Sequence, residues 1–491
     1  MNMMTPCVAD LALLLIVVLP ASTLARTVDL TTEPPTATSA STLNLMTADK
    51  LGDFEDESWS GYVCDFASWA TCVNRTASCE SPHATCAACG ISCSETAQSR
   101  AFHFAAGGIY PVTEQFTLPP NTAVVGAANP NNPLDKAQQQ VDVAAQTWFI
   151  VPKNVTLCGD DPLCQDASAK APTACSGDPI THRQGFLMSS GSTLQDINFQ
   201  GADLGRAASE GTLCGPGAIE LPGCLDADGC ASWEADKATG TGVVSDVVIR
   251  NVRLSDAVRR AQISQMGGDC ATGEALDPDG GHVRAHQISL WVAKLPRSET
   301  GHHSNVLVDN LVSMNSRADG FNVHGAVRGL TLQHSHLENS GDDCVGVWSA
   351  GIANMTIRSV VAKNCAVTAG QQTNWGSCMG TYAFASLAVD GLTCYDPFLS
   401  TDRCNPRTHY TAMHINKAFS ADCMPLGATL DLSDVRYFAS ARPTEPLARP
   451  VCGQCKSCCG KCSEAGFDDL TVRYLDGSVP AGQCMSANAG C

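Results

Sequence analysis

A short pattern of alternating apolar residues recurs along the middle of the chain and limits the folds that the chain can adopt. Each copy opens with a small or polar residue, and the copies begin at Asp246, Asn305, Gly329, Asn354 and Ser386. The second apolar position of each copy falls in turn at Ile249, Val308, Leu332, Ile357 and Val389. The interval from Ile249 to Val308 is about twice as long as the others. A period of about 20–30 residues with short strands is typical of a solenoid.

The repeat predicts an all-β fold, namely a right-handed single-stranded parallel β-helix. Each turn of such a fold lays short strands against those of the neighbouring turns, and alternate side chains point into the core. We interpret the long interval between Ile249 and Val308 as two turns, with the segment 287–293 supplying the missing strand. An immunoglobulin-like sandwich would instead show turn signals about every 8–12 residues and no fixed repeat.

Cysteine usage indicates an oxidising compartment. The sequence contains 27 Cys, which would be a chemical liability in a reducing cytosol and therefore predict a disulfide framework. Two Cys-rich segments, 60–99 and 441–491, lie on either side of the β-helix predicted over 100–440 and are expected to cap its ends. Their Cys-x-x-Cys spacing also fits zinc, but disulfides are favoured in a secreted chain.

The amino terminus agrees with secretion to the cell surface or medium. Residues 11–20 form an apolar run followed by small residues, which predicts a signal peptide over 1–25, although no Lys or Arg precedes the run. The run is too short for a membrane span, which needs about 20 residues. Residues 26–59 are rich in Ser, Thr and Pro and are expected to form a leader. Sequons at Asn74, Asn154 and Asn354 permit glycosylation.

The charge balance excludes some partners. Acidic residues outnumber basic ones by 49 to 30, for a formal net charge of −19. Nucleic-acid binding needs a basic footprint, so we expect no nucleic-acid partner. A polyanionic substrate is also disfavoured unless basic residues gather in one groove. The chain is expected to act as a monomer.

The repeat brings aspartates together. Asp319 follows Val308 by the same offset along the chain as Asp343 follows Leu332, and Asp342 directly precedes Asp343. Equal offsets in successive turns stack about 4.8 Å apart. Hydrolysis of a glycosidic bond needs a protonated carboxyl and an ionised carboxylate at short range, which this arrangement supplies. A polar ladder or a calcium site is the alternative interpretation, and no other cofactor is expected.

The residues around these aspartates resemble the active-site turns of β-helical glycoside hydrolases. The segments are RADGFNVHG over 317–325 and SGDDCVGVWS over 340–349. These two motifs are similar to those of α-1,3-glucanases (mutanases) and dextran-cleaving enzymes, and more distantly to those of polygalacturonases. The resemblance implies that Asp342 is the general acid, that Asp319 and Asp343 activate the attacking water, and that the anomeric configuration inverts.

The resemblance also implies a substrate class. Polygalacturonases carry a further His and an Arg/Lys pair for substrate carboxylates, whereas residues 350–400 contain no His and only Arg358 and Lys363 as basic residues. A neutral α-glucan is therefore expected. The expected substrate-binding residues are His324, placed near Trp348 by the repeat, together with Trp291, Asn322 and Trp375; Tyr382 would join the aromatic platform.

Other possibilities stay open at this point. A polygalacturonase or a polysaccharide lyase on the same fold is one alternative, and a catalytically silent polysaccharide-binding protein of the cell surface or wall is another. Cys344 directly follows the aspartate pair and is predicted to bridge to Cys365 or Cys378.

Overall fold

The structure is a computed structural model, and it describes residues 62–131, 145–151, 185–201, 217–223, 242–256, 288–293, 301–314, 316, 319–338, 340, 343–363, 365, 378–396, 413–416, 425, 427–439, 451–454 and 470–474. These residues form a mostly β fold with two large sheets and two short helices. Neither of these two helices has the length and apolar character needed to span a bilayer.

Two sheets contain the described strands. The 15-stranded sheet consists of β1 (Ser92–Glu95), β2 (Arg100–His103), β3 (Ile109–Pro111), β5 (Thr122–Val125), β6 (Thr147–Ile150), β8 (Thr193–Gly201), β10 (Ser245–Asp256), β12 (His303–Asp309), β13 (Val312–Met314), β15 (Val327–Gln333), β16 (His336–Glu338), β18 (Met355–Lys363), β20 (Ser386–Asp396), β22 (Ala428–Ala439) and β24 (Leu470–Tyr474). The nine-stranded sheet consists of β4 (Gln115–Thr117), β7 (Gly185–Leu187), β9 (Gly217–Leu221), β11 (Ile288–Val292), β14 (Phe321–Val323), β17 (Val345–Trp348), β19 (Met379–Ala383), β21 (Met413–Asn416) and β23 (Val451–Gln454).

The chain visits the two sheets in alternation, and in each sheet the next strand pairs in parallel with the one from the preceding visit. In the large sheet β10, β12, β15, β18, β20 and β22 are neighbours in that order. Their register aligns the predicted repeat positions Ile249, Val308, Leu332, Ile357 and Val389. The described pairs are parallel except β1 with β2. The sequence repeat therefore predicted the strand register correctly.

Left-handed backbone bends lie at both ends of a four-residue stretch in four of the repeat copies. The opening residues Asp246, Asn305, Gly329 and Asn354 have positive φ, and so do the residues five positions later: Asn251, Asn310, His334 and Ser359. Asn, Asp and Gly tolerate this conformation best, which explains why the pattern opens with them. Equivalent side chains bond from turn to turn, since Asn305 donates to Asp246 at 3.1 Å and Asn310 donates to Asn251 at 2.9 Å.

The interpretation of the long interval between Ile249 and Val308 as two turns is wrong. These two residues pair directly, so the interval spans a single turn. The strand expected to fill the gap, β11, belongs to the nine-stranded sheet, where it pairs with β9 and β14. The extra residues lie between the strands of that one turn, and residue spacing alone does not separate an enlarged turn from two short ones.

The amino-terminal Cys-rich segment adds two helices to the predicted all-β fold. Helix α1 spans Phe66–Arg75, and the side chain of its N-cap residue Asp65 accepts a hydrogen bond from Ser68 N. Helix α2 (Ala84–Ala88) follows. Disulfides Cys64–Cys89, Cys72–Cys86 and Cys79–Cys93 hold the segment together, so its cysteines form disulfides as predicted.

Helix α1 covers aromatic residues of the β core. Trp69 is fully buried against Phe104, Phe116, Phe149 and Phe186, with ring centroids 4.7 to 6.3 Å away. Its indole nitrogen donates to Pro111 O at 2.8 Å, which satisfies the polar atom that burial of a tryptophan otherwise leaves open. Most of the carboxy-terminal Cys-rich segment, residues 441–491, lies outside the described residues.

Candidate active site

One column of residues crosses the outer face of the nine-stranded sheet. Phe321 and Val323 are buried in the core on either side of Asn322, so Asn322 points away from it. The strand register places Asn322 beside Trp291 on one side and beside Gly346 on the other, and Gly346 in turn pairs with Gly380. The site is built on this column.

Asp319 and Asp343 occupy equivalent positions in successive turns. Each precedes its strand by two positions, and the first residues of those strands, Phe321 and Val345, are paired. Gly320 N donates to Asp343 O at 3.1 Å, which carries the register up to the aspartates. Both side chains are buried, Asp319 at 5% exposure and Asp343 at 1%. The stacking expected from equal offsets is present.

Glycines make room for both carboxylates. A Cβ added at Gly380 would lie 2.6 Å from Asp343 Cγ and 2.8 Å from Asp343 Oδ1, closer than real Cβ contacts come. A Cβ at Gly346 would lie 3.2 Å from Asp319 Oδ2 and 2.9 Å from Trp348 Nε1. Each aspartate therefore extends over the glycine of the next strand. Sequence reasoning did not single out these glycines, although Gly346 follows Asn322 by the same interval that separates Val308 from Leu332.

Each carboxylate accepts a hydrogen bond from a neighbouring side chain. Asn322 Nδ2 donates to Asp319 Oδ2, and the Tyr382 hydroxyl donates to Asp343 Oδ2 at 3.0 Å. Hydrogen bonds to an ionised acceptor are stronger than neutral ones and hold the acceptor in one orientation. The two aspartates are thus oriented by residues from the outer column and from β19.

A β-bulge brings Tyr382 into the site. Val347 pairs with Thr381 but Trp348 pairs with Ala383, so Tyr382 is an extra residue in β19. Its ring stacks on Trp348 with centroids 3.6 Å apart and planes 19° from parallel. Bulges redirect side chains and are frequent beside active sites. The bulge has no signature in the repeat, which is why the hydrogen bond from Tyr382 to Asp343 was not predicted.

Aromatic rings continue from Trp348 along the face. His324 packs edge-on against Trp348 at 5.2 Å, as the repeat predicted, and Trp291 packs edge-on against His324 at 6.1 Å. The row runs from Trp291 on β11 through His324, which directly follows β14, to Trp348 on β17 and Tyr382 on β19. Aromatic faces and edges beside carboxylates suit a carbohydrate, whose apolar ring faces stack while its hydroxyls form hydrogen bonds.

Two disulfides lie behind Asp343. Cys344 pairs with Cys365, one of the two predicted partners, and Cys378 pairs with Cys394. The sulfurs of Cys365 and Cys378 are 3.7 Å apart, and Val345 N donates to Cys378 O at 3.1 Å. The backbone next to Asp343 and the backbone leading to Gly380 are therefore both covalently anchored.

A further carboxylate lies on the same face. Glu220 lies on β9, is 2% exposed and is the register partner of Trp291 on β11. Gln115 Nε2 donates a hydrogen bond to Glu220 Oε2 at 2.8 Å. Glu220 belongs to none of the five repeat copies recognised in the sequence. It extends the polar part of the face beyond Trp291.

The two basic residues of segment 350–400, Arg358 and Lys363, lie on the large sheet and not on the face that carries the aspartates. Arg358 forms an ion pair with Asp390 at 3.4 Å and Lys363 forms one with Glu338 at 2.8 Å, all on the large sheet. Among the outer-face side chains of the nine-stranded sheet that the structure describes, His324 is the basic one. In the same described set, no group of three or more His, Cys, Asp or Glu could hold a metal ion.

Two of the predicted site residues, Asp342 and Trp375, lie outside the described residues. The structure brings the other six together on one face: Asp319, Asp343, Asn322, His324, Trp291 and Trp348.

Comparison with known proteins gives only remote similarities. No protein-family model and no curated protein sequence matches the chain. Among solved structures, a GH87 α-1,3-glucanase catalytic domain in complex with tetrasaccharides is 13% identical with a TM-score of 0.35, covering 67% of this chain and 41% of that one. The catalytic unit of a GH87 α-1,3-glucanase from Streptomyces thermodiastaticus strain HF3-3 is 14% identical with a TM-score of 0.32, covering 75% and 47%.

A third solved structure has a different role. PfbA, a surface adhesin of Streptococcus pneumoniae, is 9% identical with a TM-score of 0.25, covering 60% of this chain and 82% of that one. The chain spans less than half the length of the two glucanase structures. At these TM-scores the likeness is too remote to assign an activity to the chain.

Proposed function

We propose that this chain is a secreted polysaccharide hydrolase that cleaves glycosidic bonds in a neutral α-glucan. The observation that carries the proposal is the pair Asp319 and Asp343, stacked in successive turns, each over a glycine and each accepting a hydrogen bond from a neighbouring side chain. Two buried carboxylates in equivalent positions are costly to keep together, and acid/base chemistry on a glycosidic bond is a use for them.

The proposed reaction is a single displacement with inversion. Asp342 protonates the glycosidic oxygen as the bond to the anomeric carbon breaks. Asp319 and Asp343 hold a water molecule and accept its proton as the water attacks the opposite face of the sugar. The donors Asn322 and Tyr382 keep the two carboxylates oriented toward that water, so the attack needs little reorganisation at the moment of reaction.

A neutral substrate is supported by the charge distribution. Arg358 and Lys363, the basic residues that follow the aspartates in sequence, are engaged by Asp390 and Glu338 on the other sheet. A uronate polymer would bring a carboxylate on every sugar close to Asp319, Asp343 and Glu220, and the strands of this sheet contribute no described Lys or Arg side chain to offset the repulsion. The aromatic row suits stacking of neutral sugar rings instead.

We propose that the two sheets are faces of a right-handed parallel β-helix, because connections between parallel strands of one sheet are right-handed in about 98% of cases. The five disulfides at ten described cysteines support an oxidising, extracellular location.

The test is a substrate screen with purified protein. Release of reducing ends from α-1,3-glucan and dextran is expected, with none from β-glucan or polygalacturonate. Proton NMR of the first product should show the β-anomer if the mechanism inverts an α-linkage. Asp319→Asn, Asp342→Asn and Asp343→Asn should each lower kcat by about 10³-fold or more, because each removes a group from the reacting atoms.

Asp309→Asn is the matched control for these variants. Asp309 is a partly exposed aspartate of the large sheet that pairs with Arg250 and His334, so its loss should leave turnover unchanged. Binding of the glucan without any release of ends would favour the silent binding protein. Products absorbing in the ultraviolet would indicate a lyase. Either result would contradict the proposal.

A further inference from the structure

Trp291 and Asn322 form an unusual pair on the outer face. They are direct register partners on the adjacent strands β11 and β14, so their side chains start about 5 Å apart on the same side of the sheet. Trp291 is 3% exposed and Asn322 is 1% exposed. Both are therefore buried, although they point away from the hydrophobic core.

Each of the two side chains has one buried polar atom with an open hydrogen-bonding position. Trp291 Nε1 and Asn322 Oδ1 have no hydrogen-bond partner among the residues that the structure describes. A buried donor or acceptor left in this state has lost its hydrogen bond to water without a replacement, so native proteins seldom leave it without a ligand or an ordered water.

The orientation of the Asn322 amide defines where its open acceptor points. Nδ2 donates to Asp319, and it lies 3.1 Å from the position that a Cβ of Gly346 would take. The amide nitrogen thus faces β17, and because the two polar atoms of an amide diverge, Oδ1 faces away from β17. Trp291 lies on that other side, on β11.

We infer that Trp291 Nε1 and Asn322 Oδ1 together bind one neutral hydroxyl group of the substrate, in a subsite next to Asp319 on the side away from Asp343. A hydroxyl accepts one hydrogen bond and donates another, which matches an open N–H donor beside an open carbonyl acceptor. A carboxylate can only accept hydrogen bonds. In this position one of its oxygens could accept from Trp291 Nε1, but the other would face Asn322 Oδ1 and the Asp319 carboxylate, which are themselves acceptors.

This inference rests on the proposed function and deepens it in two respects. It gives a reason for selecting neutral sugars that does not depend on where the basic residues lie, since a site built to bind a hydroxyl discriminates against groups that cannot both donate and accept. It also makes Asn322 a positioning residue, because a hydroxyl bound at Oδ1 fixes the amide that orients Asp319.

The first test removes the indole donor and keeps the ring. Trp291→Phe should lower kcat/KM for an α-1,3-linked glucan by about tenfold, mostly through KM, since one neutral hydrogen bond is lost. Trp148→Phe is the matched control, because Trp148 is also 3% exposed with an open Nε1 but lies on β6 of the large sheet. Equal kcat/KM for the two variants would overturn the inference while leaving the hydrolase proposal intact.

The second test does not depend on turnover. The seven tryptophans give indole N–H resonances, and the one missing from Trp291→Phe identifies Trp291. In the inactive Asp343→Asn protein that resonance should shift on addition of α-1,3-linked glucotetraose and stay unchanged with oligogalacturonate. No shift with a glucotetraose that binds, as measured by calorimetry, would overturn the subsite.

A double variant tests whether the two residues bind the same group. Asn322→Ala should also weaken glucotetraose binding to Asp343→Asn, and combining it with Trp291→Phe should cost less than the sum of the two single changes. Additive losses would show two separate contacts and would contradict the shared hydroxyl. If wild-type protein neither cleaves nor binds any neutral glucan, the proposed function fails and the subsite fails with it.

Discussion

The hydroxyl of Tyr382, the extra residue of the β19 bulge, donates a hydrogen bond to Asp343. The same ring stacks on Trp348, so one side chain connects the aromatic row to the carboxylate pair. Removal of the bulge residue's hydroxyl should therefore affect the reaction more than substrate binding.

Tyr382→Phe tests this connection. The variant keeps the ring on Trp348 and deletes the donor to Asp343, and a hydrogen bond to a charged group is worth about 1.5–3 kcal/mol. We expect kcat on α-glucan to fall by about 10- to 100-fold with KM within about twofold of wild type. Tyr395→Phe is the control, since Tyr395 is 39% exposed and stacks on Phe438 of the large sheet. An unchanged kcat in Tyr382→Phe would contradict a role for the hydroxyl.

Gly380→Ala tests the space beneath Asp343. The added methyl would overlap the Asp343 carboxylate, so the side chain must move and turnover should drop by at least about 10²-fold, since small misplacements of reacting groups are costly. Gly427→Ala is the control, because Gly427 has φ +79° and open space around it. This variant should lose about 1 kcal/mol of unfolding free energy and keep wild-type turnover. Thermal unfolding and initial rates on both variants check the pair.

Much of the fold follows from local chemistry in the sequence. Residues such as Asn305 and Asn310 are suited to the left-handed bends at the two ends of a repeat copy, and Val306 and Val308 between them face the core. Equal spacing from Val308 and Leu332 then places Asp319 beside Asp343 without any further information. Period, bend residues and alternation all operate over short stretches of chain, which is why a single sequence reveals them.

Features that depend on how different turns meet were not predicted. The bulge at Tyr382 shifts the register by one position where β19 meets β17, and no local pattern marks it. Glu220 lies beside Trp291 because β9 pairs with β11. The chain intervals on either side of β9 do not follow the period of the repeat, so spacing alone does not predict this pairing. The same irregularity made one enlarged turn between Ile249 and Val308 look like two.

The disulfide next to Asp343 should matter for both stability and turnover. Replacing Cys344 and Cys365 with Ala removes a cross-link with a sequence separation of 21, which should cost about 3 kcal/mol of unfolding free energy. Turnover should also fall, because Cys344 fixes the backbone beside Asp343. Removing Cys79–Cys93, with a separation of 14, should cost similar stability and leave kcat unchanged. Equal kcat in both double variants would show that the first bridge only stabilises the fold.

A buried histidine should make the fold sensitive to acid. His303 is fully buried at the start of β12, and burial lowers the pKa of its imidazole from 6.5 to about 4. Val244 N donates to its Nδ1 at 3.1 Å, a contact that requires the neutral ring. Because the folded-state pKa lies below the unfolded one, the unfolded chain binds the proton first as the pH falls. Stability from this group is therefore complete above pH 6.5 and is lost between about 6.5 and 4, by up to about 3 kcal/mol.

His303→Asn isolates that contribution. The Asn carbonyl replaces Nδ1 as an acceptor for Val244 N and does not titrate, so the loss of unfolding free energy between pH 7 and pH 4 should be smaller than in wild type by about 3 kcal/mol. Urea unfolding at the two pH values measures it. Identical pH dependence in His303→Asn and wild type would mean that His303 does not set the acid limit.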